Sequence, residues 1–374
     1  MSPATRPPLM EDPRVVLTLD AGGTNFSFSA IQGGRRLGEA VHLPAQPRDL
    51  DRCLDTLVEG FQRLLDSVPA PPVALSFAFP GPADFVRGII GDCNNLPAFR
   101  GGVPLGPFLA NRFGLPVFLN NDGDLFVHGE ALAGLLPETN ALLEGAGTPL
   151  RYRNLFGVTL GTGFGAGLVH AGRLYLGDNG SGLEIWALRS KRQPQLPAEE
   201  AVSIRGLRRA YADAARIPFE ASPEPRVLAA IARAEAPGDR PAALEAFRAF
   251  GEEAGNAIAE AVTLLDTLVV IGGGISAAHR LFMPALLAEL NGHLGTAGGQ
   301  RCGRTGLRAF DLEDPAGRAA FLRGEARMVK VPRSTRELPY DPFKRTAVGI
   351  SRLGTALAVG LGAYAFALDH LDQG

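Results

Sequence analysis

Strand-like and helix-like patterns of apolar positions follow one another along the chain. Residues 15–20 (VVLTLD) form a β-branched and leucine run that ends in the glycine turn AGGTN. Residues 26–31 (FSFSAI) alternate apolar with small polar side chains and turn at Gly33-Gly34. This predicts two strands joined by a tight turn. Between 49 and 68, apolar residues from Leu50 through Leu57, Phe61 and Leu64 to Val68 recur at helical spacing. An amphipathic helix packing one face is predicted there. Buried strands are predicted over 73–79 (VALSFAF), stopping at Pro80-Gly81-Pro82, and over 115–120 (LPVFLN). The second leads into Asn121-Asp122-Gly123 and a helix through Ala133.

Near residue 156 the opening pattern returns. The segments LTLDAGGTNFSFSAIQGGRRL (17–37) and VTLGTGFGAGLVHAGRLYL (158–176) share one order: strand, Gly-Thr-rich turn, strand, glycine turn, Arg, strand. Their separation is about half the chain, which points to a duplicated fold. A long helical pattern over 241–265 leads into TLVVIGGGIS, a strand followed by glycines and a helix. Residues 134–155 and 295–345 are charged, aperiodic and punctuated by Gly and Pro, so they are expected to be insertions or long surface loops. A small-residue helix is predicted at 353–371.

Composition bounds the class. A chain of 374 residues, 46% of them hydrophobic, supports about two domains with real cores. Its 47 glycines exceed the ordinary share of about 7%, yet no G-x-y period accompanies them, which excludes a collagen-like or disordered chain. The balance of 37 basic against 39 acidic side chains argues against a protein built to hold nucleic acid. The arginines from Arg205 to Arg209 read as a solvated helix face. Cys53, Cys93 and Cys302 have no close spacing, so neither a zinc motif nor a disulfide framework is expected, in keeping with a reducing cytoplasm. The first residues lack the apolar core of a signal peptide. The uncharged stretch Leu353 to Leu368 is 16 residues against the ~20 a bilayer needs, so it reads as a buried helix. The expectation is a soluble, cytoplasmic protein of two domains, without membrane or nucleic-acid partners.

Three glycine turns follow predicted buried strands: Asp20-Ala-Gly-Gly-Thr24, Gly161-Thr-Gly-Phe-Gly165 and Gly272-Gly-Gly274. Glycine lets backbone N–H groups approach an anion, and threonine hydroxyls add donors. Hairpins also need glycine, so one such turn alone says little. Three of them, two with Thr and one preceded by Asp, favour a phosphate cradle. No GxxxxGK(S/T) occurs, which excludes a P-loop. Gly161-x-Gly163-x-x-Ala166 fits the dinucleotide fingerprint formally, but a strand follows where that fingerprint needs a helix. A strand–turn–strand hairpin used twice fits a phosphate clamped between two β-turns.

Asp122 follows a strand at the edge where α/β domains bind ligands. It is either the N-cap of the next helix or the carboxylate that takes a hydroxyl proton during phosphoryl transfer. Asp20 is the candidate for orienting hydrated Mg2+ near the phosphates. The six histidines are scattered and form no ligand pair at metal spacing.

The pieces LDAGGTN (19–25), FPGPAD (79–84), NNLP (94–97), LNNDGD with Glu130 (119–130), LGTGFGAGLVHAGRLYLG (160–177) and VVIGGGIS (269–276) resemble, in family order, the ROK family of sugar kinases and sugar-responsive repressors. The resemblance implies an α/β, duplicated actin-like ATPase (ribonuclease H-like) fold of two domains with an interdomain cleft, and a homodimer. It assigns residues 1–133 with the C-terminal helix 353–374 to one domain and 134–352 to the other. Asp20, Gly22, Gly23 and Thr24 then resemble the first phosphate motif, and Gly161, Thr162, Gly163 and Gly165 the second. Gly272, Gly273 and Gly274 resemble the turn beside adenosine. Asn121 and Asp122 match the pair that holds the sugar, Asp122 as base, and Asn95 of the NNLP piece joins the substrate-binding set.

There are departures. The family usually carries Glu-x-Gly-His after the second phosphate motif, whereas GLEIWA (182–187) keeps Glu184 and puts Ala187 in the histidine's place. The cysteine-rich zinc loop is replaced by RSKRQPQLPAEEAVS (189–203), in which Glu199, with Glu200 as fallback, resembles the sugar-binding glutamate that ends that loop. Nineteen residues precede Asp20, fewer than a winged helix-turn-helix needs, so the kinase branch is expected. The implied activity is transfer of phosphate from ATP, with Mg2+, to a hydroxyl of a glucose- or fructose-type hexose. Two other readings remain open: a non-catalytic sugar or nucleotide sensor, and a kinase for an N-acetylhexosamine or a carboxylic acid, the last with Arg189 or Arg205 as the acid's partner.

Overall fold

The computed structural model describes residues 9–22, 24–93 and 96–373. The chain divides into two compact units. One runs up to Leu132, takes in Arg173–Gly182 and resumes at Leu353; the other comprises Ala133–Gly172 and Leu183–Arg352.

The first unit is built on five strands: β1 (Val15–Ala21), β2 (Asn25–Gln32), β3 (Arg35–Pro44), β4 (Pro72–Ala78) and β5 (Val117–Asn120). Their order in the sheet is β3-β2-β1-β4-β5. β1, β2 and β3 form an antiparallel meander, while β4 lies parallel to β1 and β5 parallel to β4. The helix Leu50–Ser67 makes the crossover from β3 to β4, capped by Asp49, whose side chain accepts from the Arg52 N–H. It buries Cys53, Leu57, Phe61 and Leu64. Phe61 sits edge-on to Phe28 at 5.1 Å and tilts against Phe77 at 5.6 Å. Phe77 and Phe79 continue this row of rings to Phe99. Burying such side chains contributes about 1.5–3 kcal/mol each, which holds the sheet and its crossover together.

The small-residue helix at the C-terminus, Thr355–Leu371, also belongs to this unit. Its Gly362 meets the Leu125 carbonyl of the helix Asp122–Ala133, and Gly129 of that helix meets the Ala358 carbonyl. A side chain at either glycine would strike backbone. The two helices therefore pack in backbone contact, which explains the low side-chain volume of this segment.

A second sheet repeats the arrangement with β6 (Leu155–Leu160), β7 (Phe164–His170), β8 (Arg173–Leu174), β9 (Leu268–Gly272), β10 (Arg308–Asp311) and β11 (Arg345–Ile350), ordered β8-β7-β6-β9-β11-β10. Again an antiparallel hairpin, β6–β7, is followed by parallel strands, β9 on β6 and β11 on β9. The long helix Arg240–Leu265 packs on the helix His279–Leu290, with Phe250 edge-on to Phe282 at 5.5 Å.

Two expectations from the sequence are corrected. Residues 134–155 are not merely loop, because Leu135–Gly145 is a helix that buries Leu135, Leu136, Thr139 and Leu143. That spacing is helical, but it lies among Pro, Gly and charges that obscure it. Residues 295–345 hold the edge strand β10, the helix Pro315–Arg323 and a ribbon pairing Arg327–Lys330 with Glu337–Tyr340. β10 pairs with β11, so this stretch extends the second sheet.

Candidate active site

Register brings the candidate residues of the first unit to one edge. Asp20 on β1 pairs alongside Ala78 on β4, and Ala78 alongside Asn120 on β5. The C-terminal ends of three parallel strands thus line up, and Asp20 and the Asn121-Asp122 pair emerge beside each other, where open α/β sheets bind ligands. After Asp20 the chain turns at once, the Gly22 N–H donating to the Asn25 carbonyl at 3.1 Å. Thr24 is exposed at that turn. Gly23 and Asn95, also assigned to the site from the sequence, lie outside the described residues.

At the end of β5 three consecutive residues take different tasks. Asn120 is buried and its Oδ1 accepts the Asn121 N–H at 2.8 Å. Asn121 Oδ1 accepts the Asp124 N–H at 2.7 Å, and its Nδ2 donates to Asp124 Oδ2 at 2.7 Å. Asn121 is therefore the N-cap of the helix Asp122–Ala133. The capping role considered for Asp122 falls to Asn121, which leaves the Asp122 carboxyl exposed at the first helical position.

That carboxyl is pushed above the ordinary carboxylate range. Protein crowded around it disfavours the anion most. The N–H groups of Gly123 and of Asp122 itself pull the other way, and the negative charge of Asp20 adds to the upward push. Because the side chain still meets water, solvent offsets part of the desolvation. The result is a carboxylate with raised proton affinity, open to a ligand and next to a second acid.

The second unit holds the other candidates. β6 ends beside β9, with Thr159 opposite Gly272. Gly161 donates its N–H to the Gly163 carbonyl at 3.1 Å, which closes the turn between β6 and β7. Thr162 is exposed at its tip. A Cβ on Gly165 would come 2.7 Å from Thr159 Oγ1, and one on Gly163 2.8 Å from Glu199 Oε2. At Gly161 and Gly274 a Cβ would meet nothing within 4 Å. Space left open beside two glycines that packing does not require is what a close-lying phosphate or nucleoside would use. Gly273 differs: it has φ +86°, and a Cβ there would strike the Leu160 backbone.

Glu199 is tied to the same turn, its Oε2 accepting the Phe164 N–H at 3.0 Å. The next helix, Ile204–Ala215, is held there too, through the Ile204 N–H to the Gly161 carbonyl at 2.8 Å. Glu184 is exposed and accepts the indole N–H of Trp186. Ala187, in the place of the family's histidine, closes the short turn Ile185–Ala187.

Sequence reasoning missed three contributors. Asp124 locks Asn121; its signal was the Asn-x-x-Asp spacing across a helix start. Trp186, 43% exposed beside Glu184, carried no periodic signal. Glu253 is 2% exposed in the helix Arg240–Leu265. It sits three residues after Phe250 and four before Ala257, so it is a charge on the buried stripe, which the helical period would have revealed.

An exposed carboxylate such as Asp20, beside a glycine turn, suits Mg2+, which is commonly held through one or two carboxylates, water and substrate phosphates. Among the described residues no group of three or more His, Cys, Asp or Glu gathers to hold a metal. Residues 189–203 contain neither Cys nor His and do not fit a zinc site. Among the described residues no helix is long and apolar enough to cross a membrane.

The profile of the ROK family matches residues 16–318. A solved glucokinase from Parabacteroides distasonis ATCC 8503 superposes with a TM-score of 0.89 at 50% sequence identity, covering 97% of this chain and 99% of that one. The glucokinase of Thermotoga maritima is 31% identical over 171 residues, 46% of this chain and 49% of that protein. The N-acetyl-D-glucosamine kinase of Vibrio cholerae serotype O1 is 30% identical over 172 residues, 46% of this chain and 51% of that protein. The chain thus matches about half the length of these two curated relatives. The two repeated sheets are those of the duplicated actin-like fold of ROK proteins.

Proposed function

We propose that this chain, which belongs to the ROK family, transfers the terminal phosphoryl group of Mg-ATP to a hydroxyl of a glucose-type hexose. The observation that carries the reading is Asp122: an exposed carboxylate of raised proton affinity at the ends of three parallel strands, beside Asp20. Phosphoryl transfer to an alcohol needs a group that accepts the hydroxyl proton as the oxygen attacks. A carboxylate with its pKa lifted is a better acceptor than an ordinary one.

Placement supports the other roles. Asn121 positions Asp122 by capping its helix. Asp20 orients Mg2+, which neutralises charge developing on the phosphates. The turns at Gly22 and at Gly161–Gly165 bring the hydroxyls of Thr24 and Thr162, with the backbone around them, to phosphate oxygens. The open space at Gly274 accepts the nucleoside. Glu184 and Glu199 each spend one carboxylate oxygen on a protein donor and keep the other for sugar hydroxyls. Asn95, Gly23, Gly272 and Gly273 keep the supporting roles that the family pattern implies. The same pattern supports a homodimer.

Glucose is the favoured sugar because the relative aligned at 50% identity over nearly the whole chain is a glucokinase. The test is ADP release by purified protein with Mg-ATP and separate hexoses: glucose, fructose, N-acetylglucosamine and N-acetylgalactosamine. Turnover greatest with glucose is expected. Absence of hexose-dependent ADP above background overturns the reading, and preference for an N-acetylhexosamine overturns the choice of sugar.

A further inference from the structure

The segment 189–198 leads directly into Glu199, and its centre is a buried carboxylate contributed by a distant helix. Glu253, 2% exposed, accepts the Lys191 N–H at 2.9 Å on Oε2, and the Arg192 N–H at 2.8 Å and the Ser190 hydroxyl at 3.2 Å on Oε1. The same hydroxyl accepts the Gln193 N–H at 3.1 Å. The segment closes on itself through the Ser190 N–H to the Leu196 carbonyl at 3.0 Å and a bridge between Arg189 and Pro197. An outer layer of charge pairs covers this centre, Lys191 reaching Glu252 and Glu289 and Arg192 reaching Glu252.

We propose that Glu253 is a positioning residue: by gathering the backbone of residues 190–192 it shapes this segment and sets Glu199 for the sugar. The role of Glu199 rests on the hexose-kinase reading above; the hub itself does not. A buried carboxylate is costly unless its oxygens are hydrogen-bonded, and here consecutive backbone donors supply the bonds. The donors are main-chain N–H groups and one hydroxyl, so the hub reads the path of the backbone. A change in that path propagates along the chain. The Ala198 N–H is anchored on the Leu188 carbonyl at 2.6 Å, and the Glu199 carbonyl accepts the Ser203 hydroxyl at 2.7 Å. Glu199 thus has a fixed backbone on both sides. Residues 189–203 contain no Cys or His, and an internal carboxylate does the organising.

The test compares wild type with Glu253→Gln and Ser190→Ala. For Glu253→Gln the KM for glucose should rise about tenfold, as expected when buried donors lose their acceptor, while the KM for ATP and kcat change much less. Ser190→Ala, which removes a single donor, should move the glucose KM in the same direction by less. Hydrogen exchange on the wild type should find the Lys191 and Arg192 amides protected; in Glu253→Gln they should exchange fast while the amides of 254–262 stay protected. Unprotected amides in the wild type overturn the hub, whether or not any variant folds. A glucose KM unchanged in both variants overturns its link to Glu199. A wild type without hexose turnover sinks the kinase reading instead, and the exchange result then decides the hub alone.

Discussion

Asn121 and Asp124 are bonded to each other twice, the Asn121 Oδ1 accepting the Asp124 N–H and its Nδ2 donating to the Asp124 carboxylate, both at 2.7 Å. The pair closes the first turn of the helix on which Asp122 stands, so the direction of the candidate base depends on a cap that does not itself react.

Asn121→Ala should therefore act on both stability and rate. Loss of an N-cap costs about 0.5–2 kcal/mol, and the loosened turn should lower kcat as well. A thermal midpoint below that of wild type together with reduced kcat is the expected outcome. An unchanged midpoint contradicts the capping role.

Asp122→Asn removes the proposed proton acceptor while preserving shape. A loss of about 10²–10⁴ in kcat is expected, with the KM for glucose much less affected, measured by steady-state kinetics. Full retention of rate contradicts the base assignment.

The raised pKa of Asp122 also has a pH signature. As the proposed base, Asp122 works only when deprotonated, so kcat should fall on acidification from a pH above the ordinary aspartate value of about 3.9. The stability effect has the opposite sense. The folded state holds this proton more tightly than the unfolded chain does, so stability falls as pH rises from the unfolded pKa through the raised folded one. Asp122→Asn should accordingly melt higher than wild type at neutral pH, less so at low pH. A melting temperature equal to or below wild type at both contradicts the upward shift.

Adjacent glycines should respond differently. Gly273→Ala places a Cβ against the Leu160 backbone at φ +86°, whereas Gly274→Ala points into open space. The first should lower the thermal midpoint sharply. The second should fold normally and raise the KM for ATP. Equal midpoints for the two variants contradict this account.

Thiol reactivity offers a further check. Burial pushes the Cys53 thiol up to about 12, and Cys93 is also buried, while Cys302 is exposed. A thiol reagent at neutral pH should modify one cysteine quickly in the native protein and all three after unfolding, and Cys302→Ser should abolish the fast phase.

Strands and turns were legible because their signals are local. VVLTLD and FGVTL are β-branched or apolar runs stopped by glycines, and both became strands, β1 and β6. The repeated Gly-Thr turns carried the duplication, and the two sheets share the order it implies. The helix Leu135–Gly145 was not legible, because its buried leucines lie among residues that otherwise mark loops. Trp186 was missed for a different reason, since its meaning comes from its contact with Glu184 and no spacing encodes that; Glu253 stood on a legible helical stripe, but its partners lie more than sixty positions away.

By itself the sequence determined which segments become strands, where they turn, and which carboxylates stand at their ends, since alternation, β-branching and glycine act over a few residues. Only the tertiary structure decided that Asp20 and Asp122, about a hundred positions apart, share one edge and that the first lifts the proton affinity of the second. It likewise decided that Glu253 reaches back more than sixty positions to Ser190. Register between parallel strands and the packing of a helix beneath a loop bring such groups together, and electrostatic and hydrogen-bond energies depend on distance in space, which the order of residues does not set.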